Sequence, residues 1–208
     1  MAVQAVTSGE ADIKALMAKI GAKARHAARA LQTASTEQKN RFLLEGATMM
    51  RQQTPQLLAA NARDMEAGRA RKLDEAMLDR LLLDDARIDS MAKSLEDIAA
   101  LPDPVGEVIT QWRRPNGLQI SRVRVPIGVI GVIYESRPNV TADAGALCVK
   151  SGNAVILRGG SESFHSSRAI VYCLERALAG ANLPIDAVQL VPTTDRAAVG
   201  VKIGRAHV

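Results

Sequence analysis

A chain of 208 residues, 47% hydrophobic and 24% charged, has an ordinary globular composition and is long enough to bury a core. No run approaches the about 20 apolar residues of a membrane span, and the N-terminus, MAVQAVTSGEAD, lacks a charged-then-apolar signal pattern, so a cytosolic location is expected. The net charge of +5 comes from 27 Lys and Arg interspersed with 22 acids, and stacking aromatics are scarce (two Phe, two Tyr, one Trp), which argues against nucleic-acid binding.

The first hundred residues read as helices. Ala11 to Leu31 places Ile13, Leu16, Met17, Ile20, Ala24, Ala27 and Leu31 on one face. Ser35 with Gln38 three residues later is a capping box that opens a second helix through Gln53. Pro55 suits the first turn of a third, through Asn61 to Glu66. Leu73 to Leu83 and Arg87 to Leu101 continue the pattern until Pro102 and Pro104 break it.

Composition then turns towards β. Glu107 to Arg113 and Leu118 to Val125 are extended runs joined around Pro115-Asn116-Gly117, and Asn-Gly predicts a hairpin because both positions tolerate positive φ. Such a ribbon is a candidate oligomer contact or a cap on a sheet. From Val129 the chain alternates. Val129 to Ile133 and Ala154 to Leu157 are apolar runs without alternation, as in parallel strands covered on both faces. Val140 to Lys150 between them is helical, with Gly152 as a left-handed stop. Ser163 to Ala179 is a further helix, Ala187 to Val191 a third strand, and a last helix is expected from Arg196. The fold class is therefore α/β: an N-terminal helical layer over residues 1–104, a hairpin over 105–125, and an incomplete Rossmann-like parallel sheet, βαβαβ, over 126–202.

Ligands of such sheets sit at the carboxyl ends of the strands, here Tyr134-Glu135-Ser136-Arg137 and Arg158-Gly159-Gly160-Ser161. The usual G-x-G-x-x-G is absent, so any dinucleotide binds in another manner. Gly159 and Gly160 permit close backbone approach, and Arg158 offers a planar fork suited to phosphate. Ser161 can donate to the same oxygens while capping the next helix. Arg plus Ser suits a ribose 2′-phosphate, so NADP is preferred to NAD; the alternative is a loop with a surface Arg. Asn139 could donate to a developing oxyanion or simply cap its helix. Cys148 and Cys173 lie in helices among apolar neighbours and read as small hydrophobes rather than nucleophiles. No metal cluster or catalytic dyad can be assembled.

Three stretches, LDRLLLDDARIDSMAKSLEDIAALPDPVGEVITQW, RPNGLQISRVRVPIGVIGVIYESRPNVTADAGALCVKSGNAVILRGGSES and VQLVPTTDRAAVG, closely resemble the γ-glutamyl phosphate reductases (glutamate-5-semialdehyde dehydrogenases) of the aldehyde dehydrogenase superfamily. The resemblance implies NADPH-dependent reduction of L-glutamyl 5-phosphate to L-glutamate 5-semialdehyde and phosphate, the second step of proline synthesis. A cysteine thiolate displaces phosphate to give a thioester, which hydride then reduces. It also implies that Arg158 takes the place of a ribose-contacting Lys, with Gly159, Gly160 and Ser161 as the following loop. Tyr134 and Glu135 then border the nicotinamide side, Asn139 answers to the oxyanion residue across a gap, and the hairpin is an oligomerisation arm of a homo-oligomer. Exchange of Arg158 for Glu should then move preference from NADPH towards NADH.

The family's nucleophilic cysteine belongs to a separate catalytic domain, so no catalytic residue beyond Asn139 is expected here and the chain reads as an inactive amino-terminal fragment. The alternative is a non-enzymatic nucleotide-binding or interaction module. Ile203 to Val208 reads as an artificial tail, the translation of an adapter-like nucleotide run. The sheet is expected to stop after the strand containing Val188, leaving apolar edge and helix faces bare.

Overall fold

The computed structural model describes residues 8–195 together with 198 and 200. The helix expected from Arg196 and the tail from Ile203 to Val208 lie outside the described residues. Helices α1 (Ser8–Leu31), α2 (Thr36–Gln52), α3 (Thr54–Ala70), α4 (Glu75–Leu81) and α5 (Asp85–Ala100) come first. Strands β1 (Val108–Arg113) and β2 (Gln119–Val123) form a two-stranded sheet by themselves. Then β3 (Val129–Ile133), α6 (Asn139–Lys150), β4 (Ala154–Arg158), α7 (Phe164–Gly180) and β5 (Val188–Leu190) make a parallel sheet of order β3-β4-β5.

Local chemistry sets most helix ends. The Ser35–Gln38 capping box is present in both directions, at 3.2 and 3.1 Å. Asp74 caps α4 and Asp84 caps α5, each accepting a backbone N–H three residues on at 2.7 Å. At the end of α6, Gly152 takes φ +75°; its N–H reaches Val149 O and that of Asn153 reaches Cys148 O, a Schellman closure. Lys72 closes α3 in the same way at φ +56°, a conformation costly for a side chain with a Cβ.

The two crossover helices, α6 and α7, share one face of the parallel sheet, and α1 covers the other. A second helical layer, α2, α3 and α5, lies outside α6 and α7. The N-terminal helices are thus split across the sheet rather than stacked as one layer; the main apolar cluster runs from Met17 to Ala198, and Met65, Leu78 and Leu81 form a smaller one. Strand β4, between neighbours and beneath both helical faces, is buried throughout. Two glycines bring the helices close: a Cβ on Gly46 would stand 2.9 Å from Leu95, and one on Gly145 2.8 Å from Leu174.

Two expectations need correction. The hairpin turn is not the mirror-image type, because only Gly117 (φ +86°) has positive φ. Gly117 N–H bonds Arg114 O and Arg114 N–H bonds Leu118 O, a type I turn followed by a left-handed glycine. The sheet does stop with β5 among the described residues, but the barer edge is that of β3. There Ile133 is 50% exposed, whereas β5 is backed by α1 through a Gln189 side-chain bond to Ile20 O. Among the described residues, Leu44 on α2, Leu147 on α6 and Tyr172 on α7 are the large apolar α-helix positions left bare.

Candidate functional site

A cavity of about 590 Å³ opens at the carboxyl ends of β3 and β4, lined among others by Tyr134, Glu135, Ser136, Arg158, Gly160 and Ser161. Parallel pairing brings the two turns together, since Ile133 lies beside Arg158 and Tyr134 N–H bonds Arg158 O. Such volumes are usual for small-molecule clefts. All the residues expected at the cofactor site border this space or touch its wall, but their side chains divide the work differently than sequence suggested.

Arg158 is only 8% exposed and reaches inward. Its Nη1 donates to Gly159 O and its Nη2 to Thr194 O at 2.9 Å, so it clamps its own loop to the turn after β5. Its Nε, buried, has no partner. Tyr134 likewise turns its hydroxyl inward, 2.6 Å from Thr141 Oγ1 and within reach of Ser167. Burial raises its pKa, against smaller opposing effects from Ser167, Thr141 and Arg158, so the phenol stays protonated. Glu135 is exposed at the mouth.

The two glycines serve the wall as well as the space. Neither has positive φ. A Cβ on Gly159 would stand 3.2 Å from the Tyr134 ring and hydroxyl, and one on Gly160 3.4 Å from Ser136 N. They let the loop after β4 press against the turn after β3. Ser161 is not a helix cap: its Oγ donates to Glu162 at 2.9 Å and accepts from Arg71 at 3.3 Å. The cap of α7 comes from Asp64 on α3, whose carboxylate accepts the N–H groups of His165 and Ser166.

Sequence reasoning named Ser136 only as part of the turn after β3 and gave it no role. It is 4% exposed, sits at φ +40°, lines the cavity, and its Oγ has no hydrogen-bond partner. Two buried polar atoms without partners, Ser136 Oγ and Arg158 Nε, therefore border one cavity. Buried polar groups are rarely left so, which marks this part of the cavity wall as a candidate for polar contacts.

A second cavity, about 380 Å³, is lined by the end of the same turn, Arg137, Pro138 and Asn139, with Arg80, Arg87 and Asp143. Asn139 is not the cap of α6, a place held by Pro138 without a side-chain bond. Its amide donates to Asp143 Oδ2 at 3.2 Å, which orients the group and leaves the second N–H for another acceptor. Ser94 holds the other Asp143 oxygen at 3.1 Å. Cys148 and Cys173 are buried, and burial pushes both thiols up to about 11, far from thiolate character at neutral pH.

Comparison with known proteins bears on the family and the fold. The model of the aldehyde dehydrogenase family matches residues 3–207. The chain is 60% identical over 192 residues to a γ-glutamyl phosphate reductase of Paramagnetospirillum magneticum, covering 92% of this chain and 45% of that protein. It is 64% identical over 190 residues to the one from Rhodospirillum rubrum, covering 91% and 44%. It thus spans under half the length of these relatives. A crystal structure of γ-glutamyl phosphate reductase from Thermotoga maritima superposes with a TM-score of 0.86 at 44% identity, over 88% of this chain and 44% of that one. A salicylaldehyde dehydrogenase from Pseudomonas putida, at 20% identity and a TM-score of 0.67 over 89% of this chain and 35% of that one, shares the fold.

Proposed function

The chain belongs to the aldehyde dehydrogenase family, and on that premise we propose that it is the cofactor-binding side of an NADPH-dependent γ-glutamyl phosphate reductase. The reaction is reduction of L-glutamyl 5-phosphate to L-glutamate 5-semialdehyde and phosphate in proline synthesis, carried out in the cytosol. The similarity to reductases of that name at 60–64% identity supports the substrate. The observation that carries the cofactor reading is the pair of unpartnered buried atoms, Ser136 Oγ and Arg158 Nε, at one cavity where strands of a parallel sheet end.

The nicotinamide cofactor, when bound, supplies hydride. In the proposed arrangement Ser136 and Arg158 offer polar contacts in the first cavity, with the backbone of Tyr134, Glu135, Gly159, Gly160 and Ser161 shaping it. Asn139, its amide oriented by Asp143, offers an N–H to the oxygen on which charge develops when the acyl carbon is attacked. Residues of the turn between β3 and α6 line both cavities, Asn139 on the side assigned to the acyl group and Ser136 on the side assigned to the cofactor. We assign the attacking thiolate to a cysteine outside these 208 residues, because Cys148 and Cys173 are buried and protonated. The hairpin, with Val108, Ile109, Trp112 and Leu118 exposed, is assigned to contact between copies in a homo-oligomer.

One observation favours NAD instead: Glu162 shares the cavity, and a carboxylate there suits ribose hydroxyls better than phosphate. The deciding assay is the reverse reaction of the full-length gene product, with semialdehyde and phosphate as substrates. NADP reduction dependent on both supports the reading; reduction of neither NADP nor NAD sinks it, and NAD reduction alone leaves the enzyme but not the cofactor.

A further inference from the structure

Selecting a phosphorylated ribose requires a cation that the phosphate can reach. Arg158 is poorly placed for that task. Two of its nitrogens are engaged by the carbonyl oxygens of Gly159 and Thr194, and turning the fork towards a phosphate would release both. Arg71, which does not itself line the cavity, holds its exposed guanidinium against the loop that does, donating to Ser161 Oγ at 3.3 Å from 90 residues away in sequence.

Its position is fixed by the rest of α3. Asn61, Asp64, Gly68 and Arg71 follow one helix face. Asn61 bonds Ser166 Oγ and Leu81 O, and Asp64 caps α7, so this face is tied to the segment that follows the Ser161 loop. The left-handed closure at Lys72 then ends the helix at Arg71, beside that loop. We propose that Arg71, rather than Arg158, supplies the charge that selects a 2′-phosphorylated adenosine, with Ser161 as its partner donor. The proposal rests on the NADP reading above and names the residue that makes it workable. Ser161 Oγ bridges Arg71 and Glu162, so a phosphate at Ser161 would meet a carboxylate on one side. Arg71 offsets that charge; without it the site presents Glu162 alone, a partner for free ribose hydroxyls.

A cation in the last turn of a helix also complements the helix dipole, a role that would affect stability without discriminating between ligands. Calorimetric titration of the full-length gene product with 2′,5′-ADP and with 5′-AMP separates the two roles. Wild type should prefer 2′,5′-ADP; Arg71→Ala should lower its affinity about tenfold or more while changing that for 5′-AMP little, and Arg71→Lys should recover part of the loss. A wild-type protein without preference for 2′,5′-ADP overturns the NADP reading and this assignment with it. A preference that survives in Arg71→Ala overturns the assignment alone.

Discussion

The Asp64 carboxylate holds Ser166 twice: its Oδ2 accepts the Ser166 backbone N–H at 2.7 Å and the Ser166 hydroxyl at 2.6 Å. Both residues are buried. Truncation to Ala removes the cap of α7 and leaves those donors without an acceptor, so Asp64→Ala should cost about 3 kcal/mol of stability, with Asp64→Asn costing less. Urea unfolding of the two variants, followed by helix signal, measures this. A midpoint unchanged in Asp64→Ala would falsify the capping role.

Ser136→Ala is expected to behave in the opposite manner. Its Oγ has no partner to lose, and Ala carries the same Cβ at φ +40°, so stability should change by under about 1 kcal/mol. Cofactor affinity should fall about five- to tenfold, the worth of one hydrogen bond. Equal cofactor titrations for wild type and variant would remove Ser136 from the site.

Arg158→Glu, which on sequence alone should switch cofactors, should instead abolish binding of both NADPH and NADH. The substitution would set a carboxylate against the carbonyl oxygens that Arg158 now holds together and would release the loop from the turn at Thr194. Equilibrium dialysis with each nucleotide is the measurement. A clean reversal of preference would show that Arg158 faces the ligand rather than its own loop.

Asp103 accepts from the buried Lys39 ammonium, from Thr36 Oγ1 at 2.8 Å and from Val105 N–H at 3.0 Å. Burial pushes its carboxyl upward, but the bonds from Lys39, Val105 and Thr36 together outweigh burial and leave it below its ordinary value of 3.8. A carboxyl depressed on folding stabilises fully above its unfolded value, and the contribution disappears as pH falls through the folded one. The acid limb of stability, below about pH 4, should therefore flatten in Asp103→Asn. That variant should also lose about 3 kcal/mol at neutral pH, because Lys39 remains buried without its counter-charge. An acid limb identical to wild type would exclude Asp103 as its source.

Trp112, 44% exposed on β1, is the natural anchor of the assigned contact between copies. In the full-length gene product Trp112→Glu should lower the mass seen by sedimentation to that of a smaller assembly, with secondary structure unchanged. An unaltered mass would return the hairpin to the role of a sheet cap.

What sequence revealed and what it concealed divide by range. The Ser35–Gln38 box and the Gly152 closure depend on neighbours within a few positions, and the expected strands fell where the apolar runs lie; the Asp74 and Asp84 caps of α4 and α5, equally local, went unread. The cap on α7 comes from Asp64, about a hundred positions away, and no local pattern distinguishes it from Ser161. Lys72 at positive φ was hidden because a glycine normally advertises such a turn. At the site, the cavity-lining turns were readable from where the strands end. The directions of Tyr134 and Arg158 were not, since either side chain can face in or out on the same backbone. Arg71 reaches the Ser161 loop only through the packing of α3.

Ser136 lines one cavity and Arg137 to Asn139 line the other, so one short stretch contributes to both. Any shift that one occupant imposes on it is met by the other as a changed boundary, and linkage requires that influence to be mutual. On the proposed function, cofactor and acyl substrate should therefore bind in a preferred order, the first arrival setting the surface against which the second is held.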